Sequence, residues 1–316
     1  MTILTHEELL SVLSEDYYLN KLSFGDISKK YNISRYLINK YLNDAVKNGI
    51  VKIEISTITK RNPQLETMLA DKFKDIHFYI IRDGENDITT SKELSQSAAT
   101  IAEKMFKNNC KIVGTSWGEA IYSLVDSLHG FPLESVKFTQ FMGENMKYNS
   151  TAGSMRMVEK IAAKFSSEFL TLPAPLYIVN NQIRQGLYAE PSIAHTLAVA
   201  KKMDVLLTGL GTIRSLQSIP IWKENLSKIF PYLDMSRVAG LIYGRPFDIN
   251  GNILNINNDK VLGISLEEVL ATPRRFCLVR SKSKTQAILG VLRGKLITDI
   301  ILSETLAYRV LAELNL

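Results

Sequence analysis

The chain has 316 residues, 46% of them hydrophobic, with 38 Lys and Arg against 32 Asp and Glu for a formal net charge of +6. That length suggests about two domains with a sizeable core, and no apolar run approaches the roughly 20 residues of a membrane-spanning helix. Two cysteines (Cys110 and Cys277) make no disulfide framework, four histidines (His6, His77, His129 and His195) lack metal-ligand spacing, and Met1-Thr2-Ile3-Leu4 lacks the basic-then-apolar order of a signal peptide; a soluble, cytoplasmic protein without metal or cofactor is expected.

Thr5 and Glu8 have capping-box spacing ahead of Leu9, Leu10, Leu13 and Tyr17, which predicts a first helix. Ser23 opens a second, with Phe24, Ile27 and Tyr31 pointing inward, and residues 31–34 are short enough to turn the chain into a third. In that third helix Ser34 is the N-cap and Asn48-Gly49 the stop. Leu37, Ile38, Tyr41, Leu42 and Ala45 form an apolar stripe, while Arg35, Asn39 and Asn43 share another face with Tyr36 and Lys40. One face anchors the helix and the other is free to read bases, so Ser34, Arg35, Tyr36, Asn39, Lys40 and Asn43 are the candidate contacts to double-stranded operator DNA.

Between Ile27 and Lys52 six cations (Lys29, Lys30, Arg35, Lys40, Lys47 and Lys52) face one acid, Asp44. That excess suits phosphate neutralisation. Val51, Ile53 and Ile55 alternate with polar residues as in a half-buried strand, which makes a winged helix-turn-helix plausible; a three-helix module with a merely solvated basic face is the alternative. The pattern breaks at residues 57–63, and a helix resumes with Leu65, Met68, Leu69 and Phe73, a candidate contact between subunits. The expected domains are residues 1–58 for DNA binding and 59–316 for a second, larger domain.

From residue 75 onward strands and helices alternate. Residues 76–81, 110–113, 136–141, 176–179, 205–208, 239–242, 276–279 and 298–302 read as strands, with helices over residues 94–106, 121–128, 155–165, 193–202, 287–292 and 305–314. Such alternation predicts an α/β domain with a doubly wound, mostly parallel sheet, whose ligands bind beyond the carboxyl ends of the strands. Three loops leave strands there. Gly114-Thr115-Ser116-Trp117-Gly118 runs into a helix N-terminus, Thr208-Gly209-Leu210-Gly211-Thr212 permits close backbone approach, and Arg280-Ser281-Lys282-Ser283-Lys284 brings cations before a helix. Each alone is a common strand-to-helix turn; together they suggest a phosphate-bearing ligand.

These residues carry a resemblance. Asn32-Ile33-Ser34-Arg35 with Gly49-Ile50-Val51, Val113 through Gly118, Leu172-Pro173-Ala174-Pro175, Gly209 through Thr212, Gly244-Arg245-Pro246-Phe247-Asp248 with Gly251, Val261 through Ile264, and Lys284 with Ala287 through Lys295 occur in an order that resembles the SorC family of sugar-responsive transcription regulators, and within it the DeoR-like branch. The resemblance implies a helix-turn-helix domain joined to a sugar-phosphate-binding domain of phosphosugar isomerase-like fold. It also implies a repressor of a carbohydrate catabolic operon, acting as a homodimer or homotetramer and bound by a phosphorylated sugar or polyol that is not converted.

Carried over by position, Gly114, Thr115, Ser116 and Gly118 resemble the phosphate loop, Gly209, Gly211 and Thr212 the facing loop, Gln140 and Gly143 the next ligand loop, and Lys284 an effector-contacting lysine. Three positions depart from the family's pattern. Met142 stands where the DeoR branch has an imine-forming lysine, Leu241 where many members have an acid, and Arg280-Ser281 where a Gly-Gly pair is usual. A thioether forms no Schiff base and a leucine bonds no sugar hydroxyl, so the deoxyribose effector is not expected; the alternative for both residues is ordinary packing. The competing class is a phosphosugar isomerase or aldolase-like enzyme with an accessory helix-turn-helix, for which Glu144, Glu190 and Lys284 are the available groups.

Overall fold

Local caps set the first three helices in the computed structural model, which describes residues 5–52, 60–145 and 154–315. In α1 (His6–Ser14) the Thr5 side chain accepts from Glu8 N while Glu8 reaches back to Thr5, and the helix runs on into a wider turn at Glu15–Leu19. α2 (Phe24–Tyr31) opens with the same reciprocal pair, Ser23 and Asp26, and ends at Asn32, whose φ of 53° turns the chain sharply. α3 (Arg35–Lys47) follows, capped by Ser34, which accepts from Leu37 N.

Leu13, Ile27, Ile38 and Leu42 form the core these helices share. Ala45 is buried too, but Leu37 is 36% exposed, so the stripe on α3 is narrower than its spacing predicts. Buried Asp16 accepts from Lys30, Tyr31 and Asn20 and so ties the end of the first helix to α2. Those bonds, Lys30 foremost, hold its carboxyl below the usual aspartate range. The strand expected over residues 51–56 lies, from Ile53 on, outside the described residues.

A second unit spans Lys60–Leu316. It contains α4 (Pro63–Lys72), β1 (His77–Ile81), α5 (Asp87–Lys107), β2 (Ile112–Thr115), α6 (Glu119–Asp126), β3 (Lys137–Thr139), α7 (Ser154–Phe165) and β4 (Glu168–Leu170). After these come α8 (Asn181–Ala189), α9 (Pro191–Ala200), β5 (Val205–Gly209), α10 (Ile213–Gln217), α11 (Pro220–Glu224), α12 (Leu226–Ile229), β6 (Gly240–Ile242) and β7 (Arg245–Phe247). The chain ends with α13 (Leu266–Leu270), β8 (Arg274–Leu278), α14 (Thr285–Arg293), β9 (Asp299–Ser303) and α15 (Glu304–Glu313).

Seven strands form one sheet in the order β1-β9-β8-β5-β2-β3-β4, and every pairing in it is parallel. Side chains alternate between its faces: Leu206, Cys277 and Ile300 enter one apolar cluster, while Leu207, Phe276 and Ile301 enter the other with α5 and α6 residues such as Ala98 and Ile121. Both cysteines are buried and free, as packing residues would be.

Two expectations need correction. Residues 176–179 form no strand; Tyr177 makes an isolated bridge to Val261, and the sheet's edge is instead β4, whose Glu-Phe-Leu run carries little apolar signal. Residues 239–242 do not join the sheet. Gly240–Ile242 pairs antiparallel with Arg245–Phe247 through the two-residue turn Tyr243-Gly244, both at positive φ, a geometry suited to a tight hairpin. The helix considered as a subunit contact, α4, turns Leu65 and Leu69 into its own unit's core, leaving Met68 as its exposed apolar residue.

Candidate functional site

From β2 the chain winds outward through β3 and β4, then returns to lay β5 on the other side of β2. Connections therefore diverge between the carboxyl ends of β2 and β5, the position where open α/β sheets form a crevice. A cavity of about 290 Å³ lies there.

Ser116 N donates to Leu207 O at 2.9 Å, extending the β2–β5 ladder by one residue and fixing Ser116 at the cavity wall. Gly118, at φ 116°, then starts α6 with no side-chain cap; only glycine adopts that conformation readily. Across the cavity Gly211 and Leu241 exchange backbone hydrogen bonds at 2.9 and 3.0 Å, which pins the β6–β7 hairpin over the loop that leaves β5.

Of the ten residues expected at the effector site, Ser116, Gly118, Gly209, Gly211, Thr212 and Lys284 line this cavity. Gly114, Thr115, Gln140 and Gly143 do not; they support it from behind. A Cβ on Gly114 would lie 1.9 Å from Met203 Sδ, and one on Gly143 2.5 Å from Pro175 O, so both glycines serve close packing. Thr115 is buried and donates to Ser116 O, and Gln140 Oε1 accepts from Leu172 N. Met142 and Leu241 are packed, at 5% and 6% exposure, and still form part of the cavity wall.

Trp117 lies in the expected loop, but Tyr177 and Trp222, which complete an aromatic wall with it, escaped sequence reasoning. Trp222 belongs to α11, a five-residue helix too short to show periodicity, and it meets Tyr177 at 5.1 Å between ring centroids only through the fold.

Lys284 brings positive charge to the cavity. Its ammonium donates to Leu210 O, and burial draws its pKa below the ordinary lysine value. Below it, burial pushes the Cys277 thiol up to about 12, so that group stays neutral. The other cations of the same loop are spent elsewhere: Arg280 donates to Ser91 Oγ and Ser123 Oγ, and Lys282 pairs with Asp87. Ser116 Oγ is buried with no hydrogen-bond partner, an arrangement that usually costs free energy and is relieved when a ligand supplies the partner. An uncapped helix start, an unpartnered hydroxyl and a desolvated ammonium together suit an anionic oxygen. Neither Glu144, whose carboxyl burial raises, nor Glu190 lines the cavity with Lys284.

In the N-terminal unit Ser34, Arg35, Tyr36, Asn39, Lys40 and Asn43 are all exposed, Tyr36 at 78%. Lys30 is engaged with Asp16, so one of the six cations counted from the sequence is partly committed to structure.

These features define a doubly wound α/β ligand-binding protein that carries a three-helix unit at its N-terminus. The family model described as "Putative sugar-binding domain" matches residues 59–312. The chain is 22% identical over 300 residues to the deoxyribonucleoside regulator of Bacillus subtilis, covering 94% of this chain and 95% of that one. It is 24% identical over 298 residues to the sorbitol operon regulator of Klebsiella pneumoniae, covering 93% and 94%. The crystal structure of full-length SorC from Klebsiella pneumoniae superposes with a TM-score of 0.77 at 22% identity, over 98% of this chain and 100% of that one. The chain belongs to the SorC family of sugar-binding transcriptional regulators. Among the described residues no helix is long and apolar enough to cross a membrane.

Proposed function

We propose that the protein is a cytoplasmic repressor of a carbohydrate catabolic operon, released from operator DNA by a phosphorylated sugar or polyol that it binds without converting. In this reading residues 1–58 act as a winged helix-turn-helix and α3 reads the major groove through Arg35, Asn39 and their neighbours. Residues 59–316, of phosphosugar isomerase-like fold, bind the effector and assemble a homodimer or homotetramer, because paired half-sites need paired readers.

The observation that supports the effector most is that unpartnered Ser116 Oγ, the open start of α6 and Lys284 line one cavity. A phosphate ester is the common metabolite group that satisfies all three. Support for the reader comes from the exposed polar and basic face of α3. The effector acts only if it binds the two states of the oligomer with different affinity.

A thermal-shift screen of sugar and polyol phosphates, followed by gel shifts on the promoter beside the gene, tests this reading. The expected result is one phosphate ester that raises the melting temperature and weakens the DNA complex. Turnover of any ester during the screen would favour an enzyme instead.

A further inference from the structure

The cation that lines the cavity is also an amine, and an amine beside a phosphate site meets phosphate-bearing electrophiles at close range. Elsewhere in the larger unit lysines such as Lys60, Lys160 and Lys295 pair with carboxylates, which hold the proton on nitrogen and leave no electron pair free to react. Lys284 has no such partner. Among the described residues its one hydrogen bond is to the Leu210 carbonyl, and burial favours its uncharged, nucleophilic form. Lys164 is the natural contrast: burial shifts it the same way and its ammonium donates to the carbonyls of Asp126 and Leu128, but it lies outside the cavity.

An electrophile docked by its phosphate at Ser116 and the start of α6 would share a space of about 290 Å³ with the Lys284 nitrogen. An acyl phosphate suits that arrangement, because phosphate is its leaving group and the donors that hold it stabilise the charge that develops as the bond breaks. A bound anion also draws protons back onto the amine, at about tenfold less free base for each pKa unit. Confinement offsets that loss, since groups held together react at effective molarities on the order of 10⁵ M.

We propose that Lys284 is a self-acylation site for acyl phosphates that enter the cavity. The unprotonated Nζ attacks the acyl carbon, a C–N bond forms, and the C–O bond breaks with its electron pair leaving on inorganic phosphate. The amine's proton passes to water at the mouth of the cavity, where Glu119 is exposed. Each chain reacts once. The amide it keeps carries no charge, so the acylated protein binds phosphate esters more weakly. This chemistry rests on the phosphate reading above and deepens it.

Incubating the full chain with acetyl phosphate and following each lysine by peptide mass spectrometry tests the site. Lys284 should acquire the acetyl group at least tenfold faster than Lys164, at a rate that saturates in acetyl phosphate and falls when inorganic phosphate is added. Acetic anhydride, which lacks the phosphate, should lose most of that preference, and Ser116→Ala should slow Lys284 without changing Lys164. Competition by inorganic phosphate on the wild-type chain decides the matter even if the variant fails to fold. Acetylation of Lys284 that is no faster than that of Lys164, or that ignores inorganic phosphate, overturns the proposal. A rise in melting temperature with inorganic phosphate but no selective acylation leaves the phosphate reading standing; absence of both overturns both.

Discussion

The two units of the chain divide their sequence differently between core and surface. The N-terminal unit folds around a cluster as small as Leu13, Ile27, Ile38 and Leu42 and leaves the polar face of α3 entirely in solvent. In the larger unit both faces of a seven-stranded sheet are covered, and among the described residues few buried side-chain atoms lack a hydrogen-bond partner, one of them at the cavity. A reader of an extended charged surface needs a rigid, exposed face and little interior, whereas a sensor of a small molecule needs a deep interior with one defect. The comparison predicts that the two activities can be damaged separately.

The largest separation should come from the small core. Ile38→Ala removes a fully buried side chain at a cost of about 2–5 kcal/mol, which a unit this size cannot absorb. Calorimetry should show an early loss of the N-terminal transition, with DNA binding abolished and ligand binding retained. Next, Lys284→Ala should weaken the ligand by about 10- to 100-fold and leave operator affinity in its absence unchanged, while Arg35→Ala should weaken operator binding by a similar factor and spare the ligand. If both variants moved both readouts equally, the division of labour would be wrong.

Salt and pH give smaller, sharper tests. Lys40→Ala should reduce the slope of log affinity for operator against log salt by about 0.9 if that ammonium meets a phosphate. Asp16 has a folded pKa below its unfolded value of 3.8, so the stability it adds is fully present above that value and is lost as pH falls through the folded pKa. Melting curves of the N-terminal unit should therefore steepen their decline in acid, and Asp16→Asn should flatten that decline.

Lys284 is shifted in the same direction, but in the alkaline range and by burial. Its lowered pKa means that the free protein holds fewer protons than the unfolded chain just below the ordinary lysine value, and an anion in the cavity would draw the proton back. Binding in the alkaline range should take up a fraction of a proton, read as a dependence of calorimetric enthalpy on the buffer's ionisation heat. A buffer-independent enthalpy across that range would count against Lys284 as a ligand contact.

What sequence reasoning could see follows from where the signal is local. Thr5 with Glu8, and Ser34 with the stripe at Ile38, Leu42 and Ala45, announce their helices because cap and periodicity lie within a few residues. The parallel strands around Leu206, Cys277 and Ile300 are legible as apolar runs between helical patterns. β4 is not, since Glu168 and Phe169 are exposed at the sheet's edge, nor is α8, which buries no residue fully and offers only Ile183 and Leu187, four apart, as an apolar stripe. The hairpin at Gly240 looks like another parallel strand until its turn, Tyr243-Gly244, is recognised as the reversal.

The site shows the same limit. The loops after β2 and β5, and Lys284 beyond them, stand out as small or charged residues after strands, and the fold gathers them at one cavity. Gly114 and Gly143 stand out equally well in the sequence but serve backbone packing against Met203 and Pro175, a distinction only distances make. Trp222 and Tyr177 reach the wall from segments 45 residues apart in number, with no pattern linking them.

The most direct test is a titration of the promoter complex with a phosphate ester that binds the cavity, followed by the reverse titration of the ester with and without DNA. Linkage requires that each weaken the other by the same factor, about 5- to 150-fold for a coupling of ordinary size. The account predicts that reciprocal loss; an ester that saturates the cavity while operator affinity stays constant would contradict it.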